Sequence, residues 1–151
     1  MNLNEQKTLL LRVVTQLIEK QLNEQGLRTF GAVLGSGREV QLLVPETIKR
    51  QHPSLDELDS YWLEQLRKAV MSTDANAACY CAEVQTIRED GTPITPGIVL
   101  FLEQKAGNAE YRFYTYEKND HSTRLVEQNS QNAPMRLFLD SAPTRKHWWN
   151  S

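Results

Sequence analysis

A chain of 151 residues has the length of one ordinary domain, able to bury roughly two thirds of the surface its unfolded form exposes. With 40% hydrophobic and 24% charged residues, its composition is globular rather than disordered. A net charge of −2 supplies no basic excess for holding nucleic acid by counterion release, and two cysteines do not make a disulfide framework.

The first residues, Met1 to Glu5, lack the basic-then-apolar layout of a secretory leader. The apolar run from Leu9 to Val14 is broken by Arg12 and falls far below the ~20 residues of a membrane span. The expectation is a cytoplasmic protein that engages neither membrane nor nucleic acid.

From Asn4 to Gln25 the spacing predicts an amphipathic helix. Leu10, Leu11, Val14, Leu17, Ile18 and Leu22 recur at three- and four-residue intervals, opposite a polar stripe that includes Arg12, Gln16 and Glu19. Gly26 stands where a left-handed cap is needed. Arg28–Leu34 and Arg38–Val44, joined by Gly35-Ser36-Gly37, read as a β-hairpin that Pro45 ends.

Ser54-Leu55-Asp56-Glu57 is a capping box, so a second helix starts there. Leu58, Trp62, Leu66, Ala69 and Val70 form its apolar stripe. Three strand-like runs follow, Ala77–Arg88, Gly97–Lys105 and Glu110–Lys118, with turn signals at Glu89-Asp90-Gly91 and Ala106-Gly107-Asn108. Connections this short predict an antiparallel meander. Its middle run is apolar on both sides, with Ile98, Leu100 and Leu102 against Val99 and Phe101, as a central strand covered on both faces requires. Asn119–Pro134 is polar and reads as loop. Met135–Leu139 reads as one more short element, and residues 141–151 as a tail.

The expected fold is therefore α+β: a five-stranded antiparallel sheet flanked by helices, in the order α-β-β-α-β-β-β, over residues 1–140. This order resembles the roadblock and profilin-like folds, which share a five-stranded antiparallel sheet between helices. Locally, Phe30-Gly31-Ala32-Val33-Leu34, the glycine turn, Glu39-Val40, the alanine-rich run Ala77–Val84 and Leu102-Glu103 resemble a group of small bacterial proteins. The sequence departs from that group at Tyr114-Thr115-Tyr116, where the group closes on Pro-Tyr. The resemblance implies a fold. It assigns no activity and no site residue.

Cys79-Tyr80-Cys81 places two thiols on one strand face, where they could hold a metal or form a redox pair. Zinc would need further ligands, and His52, His121 and His147 all lie in loop or tail contexts. Flanked by Ala77, Ala78 and Ala82, the cysteines read instead as small groups filling a strand–helix interface, unlinked and metal-free. Gly35-Ser36-Gly37 leads into a strand, not a helix, so it reads as a turn and not a phosphate cradle. Glu83 and Glu103 fall on neighbouring strands and could face each other as acid and base. The expectation is that they sit toward strand ends and meet solvent.

Tyr111, Phe113, Tyr114 and Tyr116 make the last run aromatic on both faces, and Trp148 and Trp149 end the tail beside Arg145 and Lys146. With no catalytic cluster and no cofactor fingerprint, the expected function is a non-enzymatic module that binds another protein or a second copy of itself. An immunity-type inhibitor is one form of it. Trp148, Trp149, Tyr114 and Tyr116 are the expected partner-binding residues, with no metal and no cofactor. The competing expectations are a small-ligand sensor, and an enzyme built on the cysteines or on Glu83 with Glu103.

Overall fold

The computed structural model describes residues 2–24, 26–45, 54–84, 90, 97–119 and 122–138. Within them the elements are α1 (Leu3–Glu24), β1 (Phe30–Gly35), β2 (Val40–Leu43), α2 (Leu55–Ser72), β3 (Ala75–Val84), β4 (Gly97–Gln104), β5 (Asn108–Lys118) and β6 (Thr123–Asn132). The fold is α+β. All strands join one antiparallel sheet in the order β2-β1-β3-β4-β5-β6.

Local chemistry sets the helix ends. The capping box at α2 is complete: the Ser54 side chain accepts from the Glu57 amide while Glu57 reaches back to the Ser54 amide. Gly26, at φ 95°, donates its N–H to the Gln21 carbonyl and closes α1.

The sheet is covered on both sides. Leu10, Val14, Ile18 and Leu22 of α1 pack with Ala32, Leu34, Cys79, Cys81, Ile98, Leu100 and Leu102. Leu58, Trp62, Leu63 and Leu66 of α2 pack with Val33, Ala78, Tyr80, Val99 and Phe101. The middle strand of the meander, β4, is thus buried on both faces, as its unbroken apolar run demands.

The sheet has six strands and not the five expected, because Thr123–Asn132, expected as loop, forms β6 along the far edge. Its residues are mostly exposed and polar, so the strand carries no alternating pattern. Backbone pairing to β5 defines it, with Leu125 and the buried Thr123 as its tie to the α1 side. Ion pairs brace this edge. Lys7 of α1 meets Glu110 of β5, and Arg112 reaches Glu110 and Glu127 at 2.7 Å each. Burial alone would raise the Glu110 carboxyl, but Lys7 and Arg112 outweigh it and hold it below the ordinary carboxylate range. A sheet edge managed with charge and polar side chains resists pairing with another chain.

One close approach fixes where α2 lies. Trp62 is fully buried, and its indole N–H donates to the Thr29 hydroxyl at 2.8 Å, which in turn donates to the Cys81 carbonyl. The ring passes over Gly31 so closely that a Cβ there would sit 2.9 Å from Trp62 and 3.3 Å from the Cys79 carbonyl oxygen. Gly31→Ala should therefore overpack this contact and cost about 1–3 kcal/mol. The cost would appear as a lower midpoint in thermal unfolding. An unchanged midpoint would mean the helix shifts to take the methyl without strain.

Candidate functional site

Of the four expected partner-binding residues, the two that are described lie on the same face of the sheet. Tyr114 is 6% exposed and belongs to the α1-side core, with Tyr116 partly buried at its margin. Trp148 and Trp149 lie outside the described residues, as do His52, His121 and His147.

Cys79 and Cys81 are unbonded and buried among the side chains that α1 covers. Burial pushes the Cys79 thiol up to about 12 and raises Cys81 well above its ordinary value. Neither supplies a thiolate near neutral pH. Two amides of the Gly35-Ser36-Gly37 turn are spent internally, Gly35 donating to the Glu39 carbonyl and Ser36 to that of Asp74.

Glu83 and Glu103 do not meet. Glu83 stands opposite Ile98 on the α1 face, whereas Glu103 stands opposite Ala78 on the α2 face. The expectation of solvent is also corrected for Glu103, which is 0% exposed. It lies in phase with Val99 and Phe101, so the stripe that buries those residues buries the carboxylate too.

What holds Glu103 there is the segment after β6. One carboxylate oxygen accepts the Arg136 amide at 2.7 Å, and the other accepts the Leu137 and Phe138 amides at 2.8 Å each. Three backbone N–H groups that no strand or helix pairs are thereby satisfied, and a charge that would be costly to bury alone acquires donors. Leu137 and Phe138 then bury their side chains in the α2-side core. Met135–Leu139, expected as a short regular element, is in its described part an irregular segment clamped by a carboxylate.

Arg136 extends the clamp. Its guanidinium donates to Asp59 of α2 at 2.9 Å and to the Tyr111 hydroxyl, and it lies 4.9 Å from the centre of the Phe101 ring. Tyr80 and Tyr111 both donate to the other Asp59 oxygen. Burial and the Asp59 carboxylate raise both phenols above their ordinary range, with Arg136 opposing. Burial would also weaken the Arg136 charge, but Tyr111 and Asp59 more than restore it. Helix, sheet and C-terminal segment are thus tied at one point.

Beside this knot the α2 face is incompletely filled. A half-open cleft of about 170 Å³ is lined by Leu55, Asp56 and Asp59 of α2, Tyr80, Val99, Tyr111 and Phe113 of the sheet, and Gln131 of β6. Its floor is aromatic and apolar and its rim acidic. A cavity of roughly 150 Å³ is known to take one benzene-sized ring, so this cleft suits a single aromatic side chain. A second hollow of about 500 Å³ between α1 and the start of β6 is broad, shallow and polar, lined by Gln16, Glu19, Lys20 and Arg124 among others.

Sequence reasoning missed Asp59 and Arg136, and it named Glu103 but expected it in solvent. The signals were present: Glu103 continues the phase of a buried stripe, and Arg136 is the one charge in Ala133–Leu139.

Glu103→Gln should cost about 2–4 kcal/mol, because an amide nitrogen would face backbone donors and a charge-assisted bond would be lost. Chemical denaturation of the variant checks this. A loss below about 0.5 kcal/mol, within the range of ordinary surface substitutions, would mean that the carboxylate is not what seats the segment.

No protein-family model, curated protein or solved structure matches this chain.

Proposed function

We propose that this protein works by binding another protein, and that the α2-side cleft receives one aromatic side chain of that partner, next to a basic one. The observation that carries this reading is the cleft itself, where Tyr80, Val99, Tyr111 and Phe113 lie beneath Asp56 and Asp59 in about 170 Å³. Cofactors and drug-sized ligands occupy roughly 300–1,000 Å³, so the space favours a ring on a polypeptide over a free small molecule. Interfaces place their largest contributions on such buried aromatic and arginine anchors.

The groups that an enzymatic reading would use favour it less. The thiols are buried and hard to ionise, and Glu83 and Glu103 lie on opposite faces. Asp59, Tyr80 and Tyr111 are occupied with one another and with Arg136. Such a knot gives the cleft a rigid wall, which reduces the entropy that binding must overcome.

The test is affinity capture from the native cell with the full chain and with Leu55→Glu/Asp56→Lys. Both positions are exposed, so the substitutions alter the cleft's mouth and leave the core intact. The expected result is at least one protein retained by the native chain and lost roughly tenfold or more by the variant, the effect of about 1.4 kcal/mol. Identical captured proteins in identical amounts would contradict the assignment of the cleft.

A further inference from the structure

The cleft and the start of the C-terminal tail share a wall. Phe138 is 5% exposed and belongs to the α2-side core, so the chain leaves the described structure on the face that carries the cleft. Arg136, immediately upstream, is bonded to Tyr111, and Tyr111 lines the cleft.

Residues 139–151 have the chemistry that the cleft asks for. They hold two indoles, Trp148 and Trp149, preceded by Arg145 and Lys146, with Asp140 as their one acid. The cleft offers a ring-sized hollow, aromatic walls and the exposed Asp56 on its rim. The length of chain from Phe138 to Trp148 corresponds to a random-coil span of about 16–19 Å, enough to return to a wall that begins beside its own root. A segment tethered this closely acts at an effective concentration on the order of millimolar, so even a weak intrinsic fit would keep it docked.

We propose that residues 139–151 are a built-in occupant of the α2-side cleft, with the ring of Trp148 or Trp149 in the hollow and Arg145 or Lys146 against Asp56. This rests on the reading of the cleft as a binding site and adds a regulator to it. A partner carrying the same aromatic-plus-basic pair must displace the tail, so the tail sets the affinity that a partner has to exceed. The tail is thus placed on its own chain, and a second copy becomes an outcome of the test.

The experiment uses the full chain throughout. Acrylamide quenching and tryptophan emission are measured for the native protein, for Trp148→Phe/Trp149→Phe, which leaves Trp62 as background, and for Leu55→Glu/Asp56→Lys. Far-ultraviolet circular dichroism confirms the fold of each, and sedimentation is followed across protein concentration. The expected result is a monomer whose tail indoles emit to the blue and resist quenching. In the cleft variant they should shift red and quench several-fold more readily.

Indoles that are exposed in the native protein, or shielded equally in the cleft variant, would overturn the proposal. So would shielding that grows with protein concentration alongside a dimer, which would put the tail in a second copy's cleft. Failure of the wider reading is distinguishable. Shielded, cleft-dependent indoles with no cleft-dependent capture support the tail and overturn partner binding. Exposed indoles with cleft-dependent capture overturn the tail's role alone.

Discussion

A carboxylate buried in the last turn of the central strand's stripe is the constraint on which the α2 side of this molecule depends. Among the described residues no cation forms an ion pair with Glu103. It is held by three amides of a segment more than thirty residues downstream. A buried anion without donors would be expensive, and three buried amides without an acceptor equally so. Each therefore obliges the other to be present, and this reciprocity fixes the segment's path across the sheet. Once the path is fixed, Arg136 must point toward α2. There it gathers Asp59, Tyr80 and Tyr111 into one hydrogen-bonded knot.

The two faces of the sheet then serve different ends. On the α1 side, four apolar helix positions, the small groups of β3 and the Lys7–Glu110–Arg112–Glu127 chain close the surface completely enough to bury Tyr114. On the α2 side, the helix contacts mainly β1 and β3, and the clamped segment covers part of what remains. Between them stays the cleft over Val99, Tyr111 and Phe113. Apolar sheet surface left open in this way is the surface a partner, or the chain's own tail, gains most by covering.

Much of this fold could be read from residues alone, because its signals are local. The Ser54–Glu57 capping box marks α2 to the residue, Gly26 ends α1, and the two-sided apolar run of β4 places it at the sheet's centre. The sixth strand was not legible. Thr123–Asn132 is an edge strand whose side chains mostly face water, and its pairing with β5 depends on backbone hydrogen bonds that leave no trace in residue type. The aromatic run of β5 was visible, but its division into buried Tyr114 and cleft-lining Tyr111 and Phe113 required knowing which face each helix covers. Glu103 was misjudged for a related reason. A charged residue near a strand end ordinarily meets solvent, and the segment that reverses this lies far away in sequence.

The central claim is that the Glu103 carboxylate holds the backbone of residues 136–138 inside the core, and amide hydrogen exchange followed by NMR tests it directly. The Arg136, Leu137 and Phe138 amides should exchange as slowly as those of β4, opening only with global unfolding. Rapid exchange of these three amides in a protein whose β4 amides stay protected would contradict it.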